Sequence, residues 1–255
     1  MMDFEAYKAL HERIFAENGL RKYTKNVSRE NIAEGRKTPT ELFYDLTDRM
    51  LTVNAHMNLT AVRDEENVIY LHYADSLKVA DAIPKGVTLC DVGCGGGFPT
   101  LPLLIARPDL RIFALDSTEK KVRYVADTAA ALGMGDRIEA CAARAEELGM
   151  GERRESFACV TARAVSNLRM LSELCLPLVR VGGVFLSMKG ANWEAELADA
   201  RNAIETLGGT LEEARTFEIR NGDRSEQRCL LVIRKTRPCP AKYPRAWGKI
   251  KSKPI

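Results

Sequence analysis

The chain has 255 residues, 45% hydrophobic and 29% charged, long enough to bury a core without disulfide or metal staples and too apolar for a disordered or fibrous class. No run approaches the ~18 uncharged apolar residues of a membrane span, Met1-Met2-Asp3-Phe4-Glu5 lacks the basic and apolar regions of a signal peptide, and seven scattered cysteines suit a reduced, cytoplasmic protein. The formal charge of +3 divides into −5 over residues 1–233 and +8 over 234–255, where Arg234, Lys235, Arg237, Lys242, Arg245, Lys249, Lys251 and Lys253 meet no acid, so that segment is either an arm for a polyanion, nucleic acid before membrane, or a solvated tail.

Residues 1–80 read as helical. Phe4, Tyr7, Leu10, Ile14 and Phe15 recur at helical spacing, as do Leu42, Phe43, Leu46, Met50 and Val53. Thr38-Pro39-Thr40-Glu41 is a helix start, with proline and an acid in the first turn. A further helix is predicted from Ile69 to Ala82, stopping before Pro84.

After Gly86 the pattern becomes alternating. Val87 to Val92 is a short strand running into Gly93-Cys94-Gly95-Gly96-Gly97, followed by a helix over Leu101 to Ala106. Arg111 to Asp116 is the next strand and Glu119 to Leu132 the next helix. Strands are predicted again at 137–141, 157–162 and 183–188, with helices between them and one at 192–207. The last two, 211–219 and 227–234, flank Asn221-Gly222-Asp223 and form an antiparallel hairpin. The alternation implies a parallel sheet covered on both faces. The expected organisation is a helical extension over 1–82, a sheet domain over 83–234 and a basic tail over 235–255.

A strand ending in closely spaced glycines before a helix lets a ligand approach the backbone. Neither G-x-G-x-x-G nor G-x-x-x-x-G-K-[ST] is matched, which argues against a dinucleotide or a cradled phosphate. What stands is Asp91-Val92-Gly93-Cys94-Gly95-Gly96-Gly97, an acid two residues ahead of G-x-G-x-G. That acid suits the cationic amino or sulfonium group of S-adenosylmethionine. Asp116, at the end of the second strand, is placed to accept two ribose hydroxyls. A plain strand-to-helix turn with a capping Asp is the alternative, and the combined spacing favours the cofactor.

Together, Asn58-Leu59-Thr60, His72 with Asp75-Ser76, Asp91 to Pro99, Leu115-Asp116-Ser117, Arg144-Ala145-Glu146, Thr161-Ala162-Arg163-Ala164 and Lys189-Gly190 make the sequence resemble the bacterial small-subunit ribosomal RNA methyltransferase G (glucose-inhibited division protein B) family over almost its whole length. The resemblance implies a Rossmann-like methyltransferase fold, α/β, with a seven-stranded mixed sheet and helices on both faces. It implies S-adenosylmethionine as cofactor and methylation of N7 of one guanine in 16S ribosomal RNA, in the 30S subunit. The cofactor would then be held by Asp91, Gly93, Gly95, Gly97, Phe98, Asp116, Ser117, Ala145, Glu146 and Arg163, with Ala145-Glu146 at the adenine edge. Cys94 and Thr100 depart from the family's usual Ser or Thr and Gly.

Guanine N7 carries a lone pair and no proton, so its methylation needs positioning rather than a base. The Asn/Asp-Pro-Pro-aromatic motif of adenine amino-group enzymes is absent at Thr161-Ala162-Arg163-Ala164. Cys239, in Pro238-Cys239-Pro240, sits in the basic tail and reads as incidental rather than as a nucleophile for pyrimidine C5. Arg163 is the candidate catalytic residue, either pairing with guanine O6 and N7 or a phosphate, or forming a salt bridge to Asp91 or Glu146. Lys189 is either a phosphate contact or a strand-end charge. With Arg237, Lys242, Arg245, Lys249, Lys251 and Lys253 it forms the candidate RNA-binding set. Only three histidines occur and none stands in a metal-ligand pattern, so no metal is expected. His72 and Asp75 share a helix face and are expected to orient the N-terminal helices over the site. Cys90 and Cys94 read as small buried residues, Phe98 as a cofactor-facing aromatic and Pro99 as an N1 proline. A monomer is expected. A small-molecule methyltransferase of the same fold, predicting activity on free metabolites, and a non-catalytic RNA-binding assembly factor remain the alternatives.

Overall fold

The computed structural model describes residues 1–24 and 37–255; the helical expectation for 25–36 lies outside them. Helix α1 spans Phe4–Glu17 and begins at Asp3, whose side chain accepts from the Ala6 amide. Helix α2 spans Pro39–Met57. It starts at the expected residue: Thr38 and Glu41 form a reciprocal capping box, and Pro39 stands in the first turn. It ends at Asn58, whose left-handed φ of 50° stops the helix. Helix α3 occupies 65–77, and its central turns, Val68–Ala74, are π-helical. The expected helix over Ile69 to Ala82 thus begins earlier and breaks after Leu77, leaving a single 3-10 turn at Ala80–Ala82.

The sheet contains β1 (Thr88–Val92), β2 (Arg111–Asp116), β3 (Ile138–Ala142), β4 (Phe157–Arg163), β5 (Val179–Lys189), β6 (Gly209–Asn221) and β7 (Arg224–Lys235), in the order β3-β2-β1-β4-β5-β7-β6. Strands β1 to β5 pair in parallel; β7 runs antiparallel to both β5 and β6. The predicted hairpin closes at Asn221 opposite Arg224, with Gly222 at a φ of 58°. Between the strands lie α4 (Thr100–Ala106), α5 (Glu119–Ala131), α6 (Ala145–Met150), α7 (Leu168–Cys175) and α8 (Trp193–Thr206). The result is a Rossmann-like α/β fold with a seven-stranded mixed sheet.

Side-chain alternation divides the interior in two. Leu89, Ile112, Ala114, Leu186 and Leu230 enter one buried cluster with the N-terminal helices, α4 and α5. Their strand neighbours Cys90, Phe113, Leu115, Phe185 and Leu231 enter the other, with α7 and α8. The N-terminal helices are therefore part of a core face. Asn18 anchors α1 to β6 by accepting from the Arg220 amide at 2.9 Å and donating to its carbonyl at 2.8 Å. A hydroxyl chain, Tyr7–Thr47–Tyr73, links α1, α2 and α3 at 3.0 and 2.9 Å.

His11 lies in this layer, fully buried, its ring 3.9 Å from that of Phe15 and 5.1 Å from that of Phe43. Neither ring nitrogen has a partner among the described residues, and burial lowers its pKa to about 3. The folded protein holds it neutral, while the unfolded chain takes up a proton below about pH 6.5. Its contribution to stability is therefore complete above that pH and is lost progressively as pH falls towards 3. Comparison with His11→Phe isolates the effect: between pH 7 and pH 5 the native protein should lose about 2 kcal/mol more than the variant in urea unfolding. Parallel pH profiles would show that His11 is protonated without cost.

The final segment, 236–255, folds back. Cys239, Tyr243 and Ile250 are buried with the α7 and α8 cluster, and Trp247–Ser252 form a short helix, α9. Lys235 is fully buried, donating to the Leu176 carbonyl at 2.7 Å and pairing with Glu155 at 3.1 Å.

Candidate active site

Strand β1 delivers Asp91 and Val92 to the glycine loop at the carboxyl edge of the parallel sheet, where ligands bind in such folds. The Gly93 and Cys94 amides both donate to the Leu115 carbonyl, at 2.7 and 2.9 Å, tying the loop to β2. Gly93 and Gly97 have φ values of 76° and 89°. A Cβ on Gly93 would stand 2.4 Å from a Val165 methyl, and one on Gly97 2.4 Å from Leu101. Conformation and close approach both demand glycine there. Cys94 is buried, as expected, and burial raises its thiol pKa far above the usual range.

Two adjoining cavities open around the loop and share Gly93, Asp116, Ser117 and Val165. The larger, about 440 Å³, reaches Thr60, His72, Gly95, Phe98 and Arg163. The smaller, about 280 Å³, reaches Ala145, Glu146 and Trp247. Asp116 stands between them. Its Oδ2 accepts from the Gly95 amide at 3.0 Å and its Oδ1 from the Thr118 amide at 2.8 Å. Each carboxylate oxygen can accept a second hydrogen bond, so the residue can hold the loop and still receive a diol. The two-lobed cavity, the glycine-loop backbone that lines it at Gly93 and Gly95 and this carboxylate fit a nucleoside carrying an amino-acid arm. Glu146, almost buried, is paired with Arg144 at the wall of the smaller lobe.

Asp91 lies elsewhere than expected. It is fully buried and lines neither lobe. Its Oδ2 accepts from the Thr100 hydroxyl at 2.6 Å, and its Oδ1 has no partner among the described residues. Burial pushes its pKa up to about 6, against the opposing effects of the Thr100 hydroxyl and the Arg163 charge. The side chain thus braces α4 from behind the loop, with Thr100 as its partner. Pro99 occupies the N-cap, one residue ahead of the expected N1 position.

Arg163, at the end of β4, pairs with neither Asp91 nor Glu146. Its Nε lies 2.9 Å from Asp75 Oδ2, and its Nη2 donates to the Leu71 carbonyl at 2.7 Å and to His72 Nδ1 at 3.2 Å. Asp75 in turn lies 3.5 Å from Arg228 on β7. Because a guanidinium only donates, His72 Nδ1 must accept. The ring proton then sits on Nε2, 2.8 Å from the Thr60 hydroxyl. Burial, then the Arg163 charge, lowers the His72 pKa to about 3, so the ring is neutral. It stacks on Phe98 with centroids 4.3 Å apart. His72 and Asp75 therefore hold α3 over the mouth through Arg163.

Lys189 and Arg245 carry structural ion pairs rather than free charges. Lys189 contacts Glu196 at 2.7 Å and the Ser166 carbonyl at 3.0 Å, and is almost buried. Arg245 grips both oxygens of buried Glu173 at 2.8 and 2.6 Å. Arg237, Lys242, Lys249, Lys251 and Lys253 remain exposed. Sequence reasoning missed Val165 and Trp247 as lining residues; neither belongs to a motif, and only the return of the chain brings Trp247 to the cavity.

The rRNA small subunit methyltransferase G family model matches residues 40–225. Ribosomal RNA small subunit methyltransferase G of Clostridium novyi (strain NT) is 38% identical over 234 residues, covering 90% of this chain and 95% of that protein. The protein of the same name from Pelotomaculum thermopropionicum is 42% identical, covering 88% and 92%. Among solved structures, the O-methyltransferase from Bacillus cereus, described in complex with SAH, superposes with a TM-score of 0.53 at 16% identity, covering 91% of this chain and all of that one. TYW2 of P. horikoshii, described in complex with MeSAdo, gives 0.52 at 11% identity, covering 64% and 62%. At these identities the two structures share the fold.

Proposed function

The chain belongs to the rRNA small subunit methyltransferase G family and is an S-adenosylmethionine-dependent methyltransferase, and from that premise we propose that it methylates N7 of one guanine in 16S ribosomal RNA, acting as a cytoplasmic monomer. The observation that carries the cofactor part of this reading is the pair of lobes meeting at Asp116. Asp116 receives the ribose hydroxyls, the smaller lobe takes the adenine beside Ala145 and Glu146, and the larger takes the methionine arm beside Gly93, Gly95 and Phe98. Ser117 borders both. Gly97 and Asp91 shape the loop from outside the cavity. Bound there, S-adenosylmethionine supplies an electrophilic methyl group on a sulfonium.

The mouth suits an acceptor that loses no proton. His72 is neutral, its Nδ1 lone pair is occupied by Arg163, and its Nε2 faces Thr60, so it is not free to act as a base. Arg163 borders the larger lobe and acts mainly as a positioning residue, locking α3, His72 and Phe98 around the reacting space. A polyanionic substrate is supported by the exposed Arg237, Lys242, Lys249, Lys251 and Lys253 on the returning C-terminal segment. No helix among the described residues is long and apolar enough to cross a membrane. Incubation with methyl-tritiated S-adenosylmethionine and, separately, 30S subunits, naked 16S RNA and a metabolite extract tests the reading. Label is expected in ribosomal RNA, and label confined to metabolites would replace the RNA substrate with a small molecule.

A further inference from the structure

We infer that the C-terminal segment builds part of the cofactor site, with Trp247 as the adenine-side wall; this deepens the cofactor reading above and rests on it. Trp247 opens α9 and lines the smaller lobe together with Asp116, Ala145 and Glu146. The Arg144 guanidinium lies 5.2 Å from the centre of its ring, and Arg144 also pairs with Glu146. Indole, guanidinium and carboxylate thus form one interlocked wall, two members from the start of α6 and one from a segment 100 residues downstream.

The segment that brings the indole there is firmly held. Arg154 donates to the Tyr243 and Cys239 carbonyls at 2.6 and 2.7 Å. Arg245, two residues before Trp247, is bidentate on buried Glu173 of α7, and Ile250, three residues after it, is fully buried. An aromatic ring fixed at both flanks can offer a flat apolar surface to a purine with little ordering cost. Losing such a base–aromatic contact on alanine substitution weakens binding by about five- to 150-fold. The same helix carries the exposed Lys249 and Lys251, so one short element serves the cofactor on its inner side and presents charge outside.

S-adenosylhomocysteine is the probe. Wild-type protein is first titrated by calorimetry; no binding there would overturn the cofactor reading and this inference with it. With wild-type binding in hand, Trp247→Ala should raise the dissociation constant about tenfold or more, and Trp247→Phe by no more than about threefold because a ring remains. The chain has two tryptophans, so Trp193→Phe leaves Trp247 as the sole indole emitter and gives a readout independent of any unfolding in the alanine variant. Its emission should change saturably with S-adenosylhomocysteine, at a midpoint matching the calorimetric constant. Emission that stays flat while calorimetry shows binding, or an alanine variant that binds as the wild type does, overturns the inference and leaves the cofactor reading intact.

Discussion

Replacing Arg163 by alanine is expected to destabilise the protein by about 3 kcal/mol and to reduce methyl transfer at least 100-fold in kcat. The stability loss follows from what is stranded. Asp75 is almost buried and, among the described residues, would keep only Arg228, at 3.5 Å, after losing its 2.9 Å partner, and removing one member of a buried pair leaves a charge poorly compensated. The Leu71 carbonyl and His72 Nδ1 would lose their donor as well. The kinetic loss follows because those contacts hold α3 and the His72–Phe98 stack against the larger lobe. A positioning role has a distinct signature: Arg163→Lys retains the charge but cannot reproduce the fork to Asp75, Leu71 and His72, so it should restore much of the stability and little of kcat. Urea unfolding and steady-state kinetics on both variants separate the effects. A rise in KM alone, with kcat intact, would assign Arg163 to substrate binding instead.

The second large effect is expected at Asp116. Asp116→Ala should weaken S-adenosylhomocysteine binding by at least about 100-fold, because hydrogen bonds to a charged acceptor are worth ~1.5–3 kcal/mol each and two hydroxyls would lose theirs. The Gly95 amide, now held at 3.0 Å, would also be released, loosening the loop. Asp116→Asn distinguishes the roles. Its amide nitrogen cannot accept from Gly95 or Thr118, so one loop anchor and part of the diol site fail together. Its affinity should fall between those of the other two proteins. Calorimetry that finds all three alike would remove Asp116 from the ribose site.

Much of the fold was legible because its signals are local. The short apolar strands, the Asn221-Gly222-Asp223 turn and the helix start at Thr38–Glu41 depend on neighbours within a few residues. The glycine loop was equally legible, since its backbone conformation demands its composition. What escaped the sequence depends on distant partners. Arg163 was weighed against Asp91 and Glu146, but the chain topology brings Asp75 of α3 to it instead. Asp91 was assigned to the ligand from its spacing, whereas its depth in β1 aims it at Thr100. The basic tail was read from net charge, which does not distinguish charges in water from those folded inward. Lys235 and Arg245 hold that segment to Glu155 and Glu173, and Trp247 becomes visible as a cavity residue only once it has returned.

The atom that receives the methyl group is the most direct mark of the proposed reaction. Methylation at guanine N7 places a positive charge on the imidazole ring and makes that nucleotide susceptible to borohydride reduction and aniline cleavage. After incubation of 30S subunits or their 16S RNA with this protein and S-adenosylmethionine, cleavage followed by primer extension should give one new stop, at a single guanine, absent when the cofactor is omitted. Incorporation of label with no cleavage, or cleavage spread over many guanines, would contradict a single N7 target.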